Sequence, residues 1–273
     1  MTNLDASPLG HATKYADRYD VTLLYPVDRA PQRAELGLDA ALPFSGVDLW
    51  TAYELSWLDA AGKPQIAIAT FAVPAESPRL VESKSLKLYL TAMNQTRFAS
   101  ATELDATLTR DLTAATGAQV DVSLTLPDRF AALPYAELAG ECLDASPLAA
   151  PDREPVPKAL AASGLTITET LFTRLFRSVC PMTGQPDYAS VQIAYCGSRI
   201  DHAGLLRYLV SFRCYPGFHE HCVERIFADV WGRCRPEALT VYARFTRRGG
   251  IDINPYRTSG DDPAPANART ARQ

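Results

Sequence analysis

The chain has 273 residues, 47% hydrophobic and 21% charged, which is core material for about one and a half to two domains and excludes wholesale disorder. Lys and Arg number 27 against 31 Asp and Glu, and a formal charge of −4 argues against a dedicated nucleic-acid binder. No apolar run approaches the ~18 residues of a membrane span. The opening MTNLDASPLGHATKYADRYD carries polar groups where a signal peptide needs an apolar stretch, so a soluble, cytoplasmic protein is expected.

In chain order, Val47–Leu58 and Gln65–Val73 read as extended runs, the second alternating Ile66, Ile68, Thr70 against Ala67, Ala69, Phe71. Helical stretches are expected over 83–95 and 101–116, the latter with Leu104, Leu108, Leu112 and Ala115 on one face, followed by a strand at Val120–Leu126. Four prolines in 144–157 rule out a helix or central strand there, so this stretch reads as a connector. Charge shifts across it: residues 1–150 carry 11 basic and 19 acidic groups, residues 151–273 carry 16 and 12. Beyond it, Thr166–Val179 and Ala189–Tyr195 are strand-like and helices are expected over 202–212 and 218–234. Leu239–Thr246 reads as the last strand, and the tail from Thr258 onward as small, polar and mobile.

Strand-strand-helix-helix-strand, written twice, predicts an α+β protein of two tandem modules with antiparallel sheets and helices on one face. The expected boundaries are 1–145, a linker at 146–158, and 159–273. No GxGxxG occurs, and βαβ alternation is absent, so a doubly wound sheet is not expected.

Four segments carry chemistry-bearing residues. In Glu82-Ser-Lys-Ser-Leu-Lys-Leu-Tyr89 a helix opens with Lys84 and Lys87 beside two serines, which suits a phosphate. The bland alternative is a solvated helix face with a Ser cap. Cys180 leaves a strand for a loop with two prolines and a glycine, followed by Asp187; such a thiol is placed to be reached. The alternative is a buried cysteine beside a turn. Gly217-Phe-His-Glu-His-Cys222 opens the long helix. With Cys214 it offers metal-capable types, but the spacing fits no common structural zinc pattern and no metal is expected. Glu220 there is either a favourable first-turn charge or an acceptor for a ligand's paired N–H donors. Finally, Arg244–Arg257 holds a double arginine and double glycine, which suits phosphate contact or a plain basic turn. The six cysteines form no CxxC pair, and reduced thiols are expected, with Cys196, Cys222 and Cys234 in packing positions.

Taken together, these segments resemble the QueF family, the NADPH-dependent nitrile reductases of the queuosine pathway. The Glu82–Tyr89 run fills every position of that family's E-[S/L]-K-[S/A]-hydrophobic-K-[L/Y]-[Y/F/W] signature, and the other three segments match in order. The likeness runs from about Leu9 to Gln273 and fits the long, two-module branch. It implies two tunnelling-fold (T-fold) modules and a reaction: reduction of free 7-cyano-7-deazaguanine to its aminomethyl product with two NADPH, without nucleic acid or membrane as partner. By the same resemblance, Cys180 matches the nucleophile that forms a thioimide and Asp187 the acid. Val81, Glu82, Ser83, His219 and Glu220 match substrate contacts. Ser83, Lys84, Arg248 and Gly249 match NADPH contacts, with Lys87 and Arg247 placed second. A homodimer is expected, with the site between modules in one chain or across the dimer. Two rivals remain: a T-fold zinc cyclohydrolase acting on GTP, and a non-catalytic purine- or tRNA-binding module.

Overall fold

The computed structural model describes residues 15–38, 41–148 and 152–273. The start of the family likeness near Leu9, most of the N-terminal segment read for a signal peptide, and the middle of the proline connector lie outside them. The strands are β1 (Pro26–Asp28), β2 (Ser45–Leu58), β3 (Pro64–Pro74), β4 (Arg79–Val81), β5 (Asp121–Thr125), β6 (Glu141–Cys142), β7 (Ala162–Val179), β8 (Pro186–Ile200), β9 (Ala238–Phe245) and β10 (Ile251–Thr258). The helices are α1 (Ala30–Glu35), α2 (Ser83–Ala92), α3 (Ala101–Thr116), α4 (His202–Val210) and α5 (His219–Cys234). The repeated strand-strand-helix-helix-strand order is present, and the fold is α+β.

Two compact units emerge. One comprises Met1–Gln32, Asp48–Leu133 and Arg247–Ile253; the other comprises Arg33–Val47, Pro134–Thr246 and Asn254–Gln273. In the first, β3 pairs antiparallel with β5, Ile68 opposite Thr125 through Ala72 opposite Asp121. One hydrophobic cluster joins Trp50, Leu55 and Trp57 of β2 with Phe71 of β3, Leu86 and Tyr89 of α2, and Leu104, Leu108 and Leu112 of α3. Helix α3 starts because the Ser100 hydroxyl accepts from the Glu103 amide while Glu103 reaches back to the Ala99 amide. It stops at Gly117, whose φ of 77° suits a left-handed cap.

In the second unit β7, β8 and β9 form an antiparallel ladder, and the C-terminal half of β10 adds to β9 with Tyr256 opposite Tyr242. The expected purely antiparallel arrangement is broken by the two-residue parallel pairing of β6 with β7. The periodicity of α5 predicts a buried stripe of Val223, Ile226, Phe227, Val230, Trp231 and Cys234; all are buried except Trp231, which is half-buried.

Two expectations need correction. Leu239–Thr246 is not the last strand: Ile251–Thr258 is another, buried along all eight residues. Its opening Ile251-Asp252-Ile253-Asn254 does alternate, but Pro255 interrupts the run and the preceding double glycine reads as a turn. The tail is not loose throughout either. The Gln273 side chain is buried, donating to the Phe245 carbonyl at 2.9 Å and accepting from Arg244 Nε at 2.8 Å. These bonds satisfy polar groups that would otherwise be buried without partners.

The second unit also holds a charged cluster in its interior. Glu224 of α5 takes Arg33 through both carboxylate oxygens, at 3.0 and 2.7 Å, and Arg257 at 2.9 Å, with all three side chains buried. Both guanidinium groups also lie over the Phe44 ring, at 5.8 and 5.5 Å. Removing one member of such a cluster strands the others in a poor solvent. Glu224→Gln should therefore cost about 3–5 kcal/mol in a denaturant titration. Arg207→Ala, which breaks the surface pair with Asp152, should barely move the midpoint.

Candidate active site

The residues singled out from sequence fall into two groups, one in each unit. In the second unit, the end of β7 is held by neighbouring backbone. The Val179 amide donates to the Tyr215 carbonyl at 3.0 Å, and the Gly217 amide donates to the Val179 carbonyl at 3.1 Å. The next residue closes a tight loop: the Cys180 amide donates to the Gln185 carbonyl at 2.8 Å, and its own carbonyl accepts from Gly184 at 3.0 Å. Gly184 has φ of +67°, the left-handed conformation this reversal requires. β8 then returns with Asp187 directly opposite Ser178, two residues before the cysteine. Cys180 is only 4% exposed, so the thiol is more enclosed than its loop position suggests, because that loop folds back on itself through two backbone hydrogen bonds.

Helix α5 adds the rest of this group. Its first residue, His219, brings Nε2 to 3.5 Å from Asp187 Oδ2 and lays its ring on Phe245, with centroids 3.7 Å apart and planes 3° from parallel. Buried Glu220 follows in the first turn, where the helix dipole favours a negative charge. Phe218 at the N-cap makes no side-chain cap bond. Cys222 is buried, and burial pushes its thiol up to about 12, against a smaller opposing pull from a Ser178 hydrogen bond. Cys222 is thus a neutral packing residue, as its helical position suggests.

The structure brings together Cys180, Asp187, His219 and Glu220 in one unit but does not gather the four metal-capable residues of this region. His221 Nε2 bonds the Tyr215 hydroxyl at 2.8 Å, and burial lowers its pKa, which keeps it neutral near pH 7. Cys214 is exposed. Among the described residues, a three-residue gathering of metal-capable groups lies elsewhere, at Glu141, Glu169 and His202. There His202 Nε2 and the Tyr195 hydroxyl already bond Glu169.

In the first unit Glu82 is fully buried and caps α2. Its carboxylate accepts from the amides of Lys84 at 2.6 Å and Ser85 at 2.8 Å. The helix cap is therefore Glu82 and not a serine; Ser85 instead accepts from the Tyr25 amide and donates to the Glu82 carbonyl. An ionised carboxylate offers about four acceptor positions, so a ligand's N–H donors can share this group with the helix. Val81 is buried, while Ser83, Lys84 and Lys87 are half-buried on the first turns of α2.

The double glycine forms a two-residue hairpin. The Arg248 amide donates to the Ile251 carbonyl at 2.9 Å, and Gly249 and Gly250 have φ of +58° and +79°, values that side-chain-bearing residues rarely adopt. A Cβ on Gly249 would stand 3.2 Å from the Lys87 side chain, so the lysine stem lies against bare backbone. Arg247 covers the Tyr53 ring at 5.0 Å, and the Tyr53 hydroxyl donates to Asp252. Cationic side chains beside a glycine turn fit the phosphates of a dinucleotide, the class of cofactor the resemblance implies. Two features escape sequence reading: the aromatic plate under His219 and the backbone clamp on Val179. Both join residues far apart in the chain, and no local pattern marks them.

Comparison with known proteins bears on the same residues. Residues 15–124 match the family model described as nitrile reductase, 7-cyano-7-deazaguanine-reductase N-term, and residues 186–264 match that of the QueF-like protein. A Bordetella avium protein named NADPH-dependent 7-cyano-7-deazaguanine reductase is 56% identical over 271 residues, covering 99% of each chain. Relatives of the same name from Burkholderia multivorans and Burkholderia mallei are 56% and 58% identical, over 99% of this chain and all of theirs. A solved archaeosine synthase QueF-Like in the apo form aligns with 37% of this chain and 99% of its own at 18% identity and a TM-score of 0.32, too slight a likeness to carry an argument. Full-length identity at this level leaves one assignment: the chain belongs to the QueF family, that of the NADPH-dependent 7-cyano-7-deazaguanine reductases.

Proposed function

We propose that this protein performs its family's nitrile reduction through a covalent intermediate on Cys180. The reaction converts 7-cyano-7-deazaguanine to 7-aminomethyl-7-deazaguanine for queuosine biosynthesis, with NADPH as cofactor. NADPH, when bound, would supply one hydride per molecule, so two molecules are consumed in the full reduction. The protein's own part begins with the thiol. A nitrile carbon is a modest electrophile, and direct reduction would leave a poorly stabilised nitrogen anion. Addition of the Cys180 sulfur forms a C–S bond while the nitrile nitrogen takes a proton, giving a neutral thioimide. Asp187 is the proton donor in this reading, and His219 beside it holds or returns that proton. After the first reduction the C–S bond breaks, the thiol is regenerated and an imine remains, which the second reduction converts to the amine. The observation that carries the reading is the convergence of Cys180, Asp187, His219 and Glu220 within one unit.

Recognition in this reading rests on two buried carboxylates, Glu82 and Glu220. The deazaguanine edge presents a ring N–H and an exocyclic amine, and carboxylates accept both in charge-assisted bonds. Val81, Ser83 and His219 complete the substrate contacts. Ser83, Lys84, Arg248 and Gly249 hold the cofactor, with Lys87 and Arg247 behind them. The two units are read as tunnelling-fold modules, the assembly as a homodimer, and the location as cytoplasmic. No helix among the described residues is long and apolar enough to cross a membrane.

Incubation with the nitrile alone should give an adduct on Cys180 whose mass gain equals the whole base, since nitrile addition releases no leaving group. Cys180→Ala and Cys180→Ser should lose adduct and turnover. An adduct mapped to any other cysteine would remove Cys180 from the mechanism. Asp187→Asn should form the adduct slowly or incompletely, because the side chain no longer carries a transferable proton. Cys222→Ala should keep both functions. In the parent, iodoacetamide at pH 8 should label exposed Cys214 while leaving Cys222 intact.

Substitutions at the binding residues separate the two ligands. Lys84→Ala should raise the KM for NADPH and leave adduct formation intact. Glu220→Gln turns an amide donor toward the base's donors and should weaken base binding by roughly tenfold, about 1–3 kcal/mol for a buried mismatch. Unchanged affinity in an isothermal titration would withdraw Glu220 from recognition.

A further inference from the structure

His219 is held unusually for an imidazole beside a reacting centre. Such rings are ordinarily oriented by a hydrogen bond at their second nitrogen. Here Nε2 faces Asp187, while Nδ1 is buried and has no hydrogen-bond partner among the described residues. What holds the ring plane is Phe245, stacked face to face at 3.7 Å and 3°. Without that plate the imidazole would be free to turn about χ2, a soft torsion with a broad minimum.

The plate itself is fixed from several sides. Phe245 is fully buried at the end of β9. Its amide donates to Asn254 Oδ1 at 3.1 Å and its carbonyl accepts from Gln273 Nε2 at 2.9 Å, while Phe176 meets it edge-on at 5.9 Å and 88°. In the ladder Phe245 stands opposite Ala189, which is two residues along β8 from Asp187. Alternation puts Asp187 and Ala189 on one face of the sheet, so the carboxylate and the plate rise from the same face. Ala189 is small enough to leave the phenyl ring room beneath His219.

We propose that Phe245 is a positioning residue for the reaction: its face sets the plane of His219 and thereby the contact between His219 and Asp187. The proposal rests on the reading of Asp187 as proton donor to the nitrile nitrogen. In this role Phe245 acts through the histidine, the ring it stacks on.

A double-mutant cycle tests it. Phe245→Leu keeps an apolar side chain but removes the flat face, and His219→Ala removes the group acted on. In single-turnover adduct formation, followed by mass spectrometry, Phe245→Leu should slow the reaction about tenfold or more in the parent background. In the His219→Ala background it should slow it less than twofold, since linked residues are non-additive. The KM for NADPH should stay within twofold, and Phe245→Tyr, which keeps the face, should recover most of the rate. If Phe245→Leu does not fold, by circular dichroism and melting, Phe245→Met replaces it in the same cycle. Equal losses in both backgrounds, or a rate within twofold of the parent, would overturn the proposal. Adduct formation by the parent tests the thiol reading separately. If the parent forms none, that reading fails, and the same cycle measured on NADPH oxidation still decides the role of Phe245.

Discussion

The pairing of β7 with β8 is the constraint on which the position of Cys180, the proposed nucleophile, depends. The ladder runs from Ala162 opposite Ile200 to Val179 opposite Pro186, and Cys180 is the first residue beyond it. A thiol on a free loop would sample many positions, and ordering it for reaction would cost conformational entropy at each turnover. Here the cost falls on folding. Val179 is held on both sides by the segment that leads into α5, and Cys180 bonds across its own loop at both amide and carbonyl. Asp187 enters on the returning strand, so strand register alone fixes how far it lies along the ladder from the cysteine.

The start of α5 depends on the same clamp. Tyr215 and Gly217, which bracket Val179, immediately precede Phe218, His219 and Glu220. One short segment therefore sets both the end of β7 and the start of the helix that carries the histidine and the carboxylate. Farther along the same helix, Glu224 ties Arg33 and Arg257 into the interior. Buried charges of this kind add little net stability, yet they penalise any packing that separates them.

In the first unit one carboxylate caps a helix and, in the proposed function, also receives the base. Glu82 caps α2 through the amides of Lys84 and Ser85, which fixes both oxygens in direction before any ligand arrives. A carboxylate oriented by the backbone loses little freedom on binding, which is the physical advantage of preorganisation. The glycine hairpin against Lys87 of the same helix has a similar logic. Positive φ at Gly249 and Gly250 makes the tight reversal possible, and the missing Cβ lets the Lys87 stem lie against the turn.

Much of this protein was legible in the chain itself. Periodicity located α3 and α5 and the strands at 64–74 and 162–179, because one face of each packs inward and the pattern records it. The family-like motifs also singled out Glu82, Lys84, Cys180, Asp187 and Glu220 as the candidates on which the proposed function rests. Sequence reading missed β10, where Pro255 cuts short a four-residue alternation, and the return of Gln273 to the Phe245 carbonyl. It also suggested a serine cap for α2, where the cap is Glu82. Only the tertiary structure decided that His219 rests on Phe245 and that the cysteine loop closes on itself. Those contacts join residues that the sequence separates, and the free energy of a contact depends on distance in space, which local pattern does not encode.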